Sequence, residues 1–114
     1  MTQSKIEDAM RRALEHHQAG RLAEAGEIYG QVLAEQPRHA NALRLLGVIA
    51  RQEGRIDAAQ ELIERAIEID PARAEAYHNL GDALRSRGKL DEAIGAYGRA
   101  AELRPDWAEA HGAL

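Results

Sequence analysis

The chain has 114 residues, 45% of them apolar and 30% charged, and carries a net charge of −4 with histidine neutral. That length supports one domain with a modest core, and the acidic balance lacks the basic field that nucleic-acid binding requires. Cysteine is absent, which excludes disulfides, thiolate metal sites and cysteine nucleophiles and fits a reducing cytoplasm. Residues 1–8 are polar with no apolar signal core, and no apolar run approaches the roughly 20 residues that cross a bilayer, so no membrane insertion is expected. Aromatic residues make up 4% and phenylalanine is missing, leaving Leu, Ile and Ala to fill the core.

The three prolines, Pro37, Pro71 and Pro105, stand 34 residues apart, as do Gly20, Gly54 and Gly88, and Ala25, Ala59 and Ala93. A fixed period of this length marks a stack of repeated units. With proline at position 32, the units run 6–39, 40–73 and 74–107, and 108–114 begin a fourth.

Each unit predicts two helices. The first unit gives helices over 4–19 and 22–36, divided by Gly20 and stopped by Pro37. Ser4 and Glu7 have the spacing of a capping box at its start. In the second unit, Ala40, Leu43, Leu46, Gly47 and Ala50 follow the spacing of one helical face over 40–53. Gly54 supplies a left-handed stop, and Ala59, Leu62, Ile63, Ala66 and Ile67 resume the pattern over 56–69 until Pro71. The third unit repeats this over 74–87 and 90–103, between Gly88 and Pro105. No side-chain cap is expected for the first helices of the second and third units, where Arg38 and Ala72 stand. Asp106 and Glu109 offer a capping box for a further helix.

These residues resemble the tetratricopeptide repeat family, whose 34-residue unit favours large and small apolar residues at fixed positions. The third unit matches with Tyr77, Leu80, Gly81, Leu84, Ala93, Tyr97, Ala100 and Pro105. The second matches with Leu43, Leu46, Gly47, Ala50, Ala59, Ile63, Ala66 and Pro71. The first is degenerate, with Arg12 where Leu is expected, so its first helix should face water on more sides. The resemblance implies an all-α, right-handed α-solenoid of stacked antiparallel helix pairs, covering 1–114 as a single domain. Gly47 and Gly81 lie mid-helix, where glycine costs about 1 kcal/mol relative to alanine, and should permit close helix contact. Gly26, Gly30, Gly95 and Gly98 have no such packing reason and should soften the second helices.

The resemblance further implies that first helices line a concave groove. Its residues in the second unit are Asn41, Arg44, Leu45, Val48, Arg51 and Gln52, and in the third Glu75, His78, Asn79, Asp82, Arg85 and Ser86. Glu7, Met10, Arg11, Leu14, His17 and Gln18 complete it in the first. His17, Arg51 and Arg85 recur at one register and form a cationic rail, to which Arg44 adds. Four arginines against three carboxylates make this face +1 in a chain of −4. With Leu14, Leu45 and Val48 as an apolar strip, the groove suits an extended acidic peptide. The same arginines also lie in last helical turns, where a cation complements the helix dipole whether or not a ligand binds. The residues of the chaperone-carboxylate-clamp subtype are not matched: Met10, Leu14, Leu45, Glu75 and Asn79 stand at those positions. The run from Ala74 to Gly81 is similar in texture to arrays attached to O-linked N-acetylglucosamine transferases, whose asparagine ladder only Asn79 continues.

No cofactor is expected and no catalytic constellation is visible. His16 and His17 point about 100° apart on a helix, and His78 with Asp82 makes only half a metal site. The reading is a non-catalytic interaction module for a protein or peptide partner. Its alternatives are a self-assembling scaffold, associating through an uncapped end beyond Pro105, and the substrate-recruiting arm of a larger enzyme.

Overall fold

The computed structural model describes residues 1–107; the start of a fourth unit at 108–114, with Glu109 of the expected capping box, lies outside the described residues. Six helices follow one another: α1 (Gln3–Gln18), α2 (Leu22–Glu35), α3 (Ala40–Gln52), α4 (Ile56–Ile69), α5 (Ala74–Ser86) and α6 (Leu90–Leu103). Each agrees with its predicted span to within a residue or so. α1 packs on α2, α3 on α4 and α5 on α6, and successive pairs join through α2 with α3 and α4 with α5. The result is an all-α helical-repeat solenoid. Among the first helices, α3 also meets α5, which puts them on the inner side of the stack.

The periodic glycines and prolines act as their chemistry requires. Gly20, Gly54 and Gly88 have φ of 82°, 84° and 77°. Around each, the residue after glycine donates back across the helix end: Arg21 N to His16 O at 2.8 Å, Arg55 N to Ala50 O at 2.8 Å and Lys89 N to Leu84 O at 2.9 Å. This closes the helix with a left-handed residue and satisfies otherwise orphaned carbonyls. Before each proline the backbone turns extended, with φ of −132° at Gln36, −134° at Asp70 and −135° at Arg104. The proline ring excludes the helical conformation from the preceding residue.

Two helix starts differ from expectation. α1 begins at Gln3, with Thr2 as its cap, the hydroxyl accepting from Lys5 N at 3.2 Å. Ser4 therefore lies inside the first turn and makes no capping box. α3 is capped after all, by His39, whose Nδ1 accepts from Ala42 N at 3.0 Å. Arg73 precedes α5 without a side-chain cap.

Close contact within each pair is centred on the mid-helix glycines. A Cβ on Gly47 would stand 2.7 Å from Ile63 Cγ1 and 3.1 Å from the Ala59 carbonyl oxygen, and one on Gly81 would stand 2.6 Å from Tyr97 Cδ1. Ala59 and Ala93 are buried on the facing helices. Ile6, Leu43, Ile49 and Ile63 are fully buried, each contributing about 1.5–3 kcal/mol from removal of apolar surface from water. α1 buries only Ile6, Ala9 and Ala13, and Arg12 is exposed, as its departure from the repeat pattern foretells.

Gly30, Gly95 and Gly98 meet nothing within 4 Å. Gly98→Ala should therefore raise stability by about 0.5–1 kcal/mol through helix propensity, whereas Gly81→Ala should lower it by about 1–3 kcal/mol through overpacking against Tyr97. Urea unfolding of the two variants checks the opposite signs.

Candidate functional site on the inner helix faces

The predicted groove residues are joined by hydrogen bonds that run from one unit to the next. His17 Nε2 lies 2.6 Å from Gln52 Oε1, linking α1 to α3. Arg44 Nη1 donates to Asn79 Oδ1 at 2.8 Å, linking α3 to α5, and its Nη2 donates to Asn41 Oδ1 at 2.9 Å. Arg44 is thus a clamp between units, only partly open to solvent. Burial and neighbouring Arg73 lower its pKa, while Glu75 acts in the opposite direction. Its Nε and the Tyr29 hydroxyl are both buried without a hydrogen-bond partner among the described residues. Burial pushes the Tyr29 phenol up, against the pull of Arg44.

A second cluster surrounds Asp82. Tyr97 donates its hydroxyl to Asp82 Oδ1 at 2.6 Å, Arg85 Nη2 approaches the same oxygen at 3.5 Å, and His78 Nδ1 lies 3.6 Å from Oδ2. The His78 ring sits beside those of Tyr97 and Trp107, with centroids 5.2 and 5.0 Å away, and is 9% exposed. It forms the floor of the groove more than its surface. Arg85 lies over the Tyr97 ring at 5.9 Å. Ser86 donates its hydroxyl to the Asp82 carbonyl at 3.0 Å, so this serine bonds back to its own helix and not to a base. Among the described residues no group of three or more His, Asp or Glu side chains could share a metal.

Arg51 differs from the other groove cations. Its guanidinium makes no hydrogen bond or ion pair among the described residues, whereas Arg11 pairs with Asp8 at 2.8 Å, Arg44 is held by two asparagines and Arg85 leans on Asp82. Arg51 is half-buried, and its charge reaches the Tyr97 phenol. The apolar strip is uneven. Leu14 is 41% exposed, while Leu45 and Val48 are half-buried, Leu45 against the core around α1 to α3.

Sequence reasoning missed two residues here. Tyr97 lies on α6 and fills the core position facing Gly81, yet its hydroxyl reaches the groove carboxylate. The available signal was the hydroxyl itself, since a buried tyrosine needs a polar partner that phenylalanine does not. Trp107, beyond α6, covers His78 from the other side, and nothing in its spacing announced that.

The sequence profile of the tetratricopeptide repeat matches residues 16–78 and again 50–114. No curated protein matches the chain by sequence. Among solved structures, a mutant of the O-GlcNAc transferase of Thermobaculum terrenum is similar with a TM-score of 0.96 and 31% identity, over 100% of this chain and 22% of that one. MamA is similar with a TM-score of 0.85 and 25% identity, over 95% of this chain and 63% of that one. The first tetratricopeptide repeat of Spaghetti (RPAP3), bound to an HSP90 peptide, shares the fold with a TM-score of 0.90 at 20% identity, over 98% and 89% of the two chains.

Burial raises the Tyr97 pKa, and the hydrogen bond and charge of Asp82 raise it further, to about 12. A folded-state value above the ordinary 10.0 gives stability that is complete below that pH and is lost as the pH climbs to about 12. The stability advantage of the wild type over Tyr97→Phe should narrow across that window, as read by urea unfolding at stepped pH. The repeat profile, the three helix pairs and the glycine-centred contacts agree, and this chain belongs to the tetratricopeptide repeat family.

Proposed function

We propose that the chain, built from units 6–39, 40–73 and 74–107, is a non-catalytic interaction module that holds an extended acidic peptide segment against α3 and α5. The tetratricopeptide repeat fold supports a protein-interaction role. The single observation that favours an acidic ligand is the guanidinium of Arg51, which is unpaired among the described residues. A carboxylate arriving there accepts a charge-assisted, bidentate hydrogen bond without breaking one already made. Arg85, loosely held by Asp82 at 3.5 Å, supplies a second fork beside the Tyr97 ring. Val48, one turn before Arg51 on α3, and Leu45 further along the same helix provide apolar contact for a neighbouring side chain. Arg44, Asn79, His78 and Asp82 hold the platform in shape through the bonds they already make.

A second reading makes the chain the substrate-recruiting arm of a larger glycosyltransferase. The 31% identity to the Thermobaculum terrenum O-GlcNAc transferase across the whole chain favours it, and a transferase domain in the same native polypeptide, found by intact mass and peptide sequencing, would decide for it. Both readings use the same groove, and both fit a cytoplasmic setting. In either, Arg51→Glu should weaken binding of a fluorescent glutamate-rich peptide by about tenfold or more at low salt, through loss of one charge-assisted contact and introduction of repulsion. Arg65→Glu, on the exposed side of α4, should leave binding unchanged, and added salt should weaken the wild type. Equal anisotropy titrations for Arg51→Glu and wild type would sink the acidic-peptide reading.

A further inference from the structure

The first and third units share a tyrosine at one repeat position but differ in what its hydroxyl meets. Tyr29 on α2 and Tyr97 on α6 stand two periods apart. Tyr97 donates its hydroxyl to Asp82 on the inner face. Two periods before Asp82 the chain has Leu14, which has no atom to accept a proton. Tyr29 is fully buried, and its hydroxyl has no partner among the described residues. Such a hydroxyl has given up water with nothing in exchange, which is unfavourable.

Arg44 adds a second atom of this kind. Its Nη1 and Nη2 are taken by Asn79 and Asn41, while Nε is buried and unbonded among the described residues. Nε–H can only donate. The guanidinium is near enough to Tyr29 for its charge to act on the phenol. Glu75, the carboxylate whose charge acts on Arg44, is engaged by Arg73 at 3.9 Å and Arg104 at 3.6 Å. One oxygen acceptor would satisfy both orphaned donors, and the cation favours a carboxylate.

We infer that Tyr29 and Arg44 form a second carboxylate subsite of the groove, between the first and second units, where a glutamate of the peptide takes the place that Asp82 fills in the third. The inference rests on the groove reading above and adds where a further acid binds. Neither donor atom is open to water, so the glutamate enters as Leu14, 41% exposed, changes rotamer, and its methylenes lie along the leucine. Arg44 and Arg51 are seven residues apart on α3, which puts them on one helix face about 10 Å apart. In a polyproline-type segment residues i and i+3 share a face about 9 Å apart. The ligand therefore carries two acids three positions apart.

The test uses a fluorescein-labelled, proline-rich peptide with Glu at i and i+3, and its two single Glu→Gln versions, titrated by anisotropy against the 114-residue chain. Tyr29→Phe should weaken the two-glutamate peptide about fivefold, the effect of one hydrogen bond to a charged acceptor. It should have no effect on one single-Gln peptide and its full effect on the other, with Arg51→Gln showing the converse. Because the hydroxyl makes no bond within the chain, Tyr29→Phe should unfold in urea at or above the wild-type midpoint, unlike Tyr97→Phe. Undiminished binding by Tyr29→Phe overturns the inference. So do equal losses with both single-Gln peptides, which would mean a general loosening of the groove, and so does a lowered midpoint, which would give the hydroxyl a partner inside the chain. Loss with Arg51→Gln but not Tyr29→Phe leaves the groove reading standing and removes this subsite alone. Loss with Tyr29→Phe but not Arg51→Gln keeps this subsite and removes the one at Arg51.

Discussion

The stack depends on close approach between the two helices of a unit, which the mid-helix glycines permit. At Gly47 and Gly81 the space a side chain would take is already filled by Ile63 and by the Tyr97 ring. Glycine inside a helix is unfavourable by about 1 kcal/mol, and the buried contact of Ile63 or Tyr97 more than offsets it. The large residue on the second helix thereby reaches past the glycine to the opposite side of its partner. This is how a core residue of α6 brings a hydroxyl to the inner surface.

That inner surface is less a row of free charges than a bonded lattice. Arg44 with Asn79 and His17 with Gln52 each join neighbouring units across the same offset of 35 residues, so they fix how one pair sits on the next. Asp82 gathers Tyr97, His78 and Arg85 around one carboxylate. Groups already bonded must break those bonds before they bind anything else, which reduces what they can add to affinity. Arg51 is outside the lattice, and its half-buried position strengthens its field over that of a fully solvated cation.

Much of the fold was legible because glycine and proline have conformational limits that hold without reference to neighbours. Gly54 ends α3 and Pro71 ends α4 wherever the chain is placed. The exposed Arg12 could be read as well, since a charged residue at a core position of one unit shows which first helix faces water on more sides. His39 as a cap was harder to see, because its ring nitrogen accepts from Ala42 only once the turn after Pro37 has set its angle. Thr2, two residues ahead of expectation, displaced Ser4 for a similar local reason: an N-cap needs extended backbone, and Thr2 has it, with ψ of 163°.

By itself the sequence determined the period and the six helices with most of their ends, because those follow from backbone stereochemistry and the spacing of apolar residues, while the inward-facing helices were implied by the family resemblance. It also named the inner-face residues. Which of them are spoken for was decided only in three dimensions. Whether an arginine is clamped, as Arg44 is, or unpaired, as Arg51 is, depends on side chains about 35 residues away in the next unit. Those distances are set by how the units stack and cannot be read along a single helix.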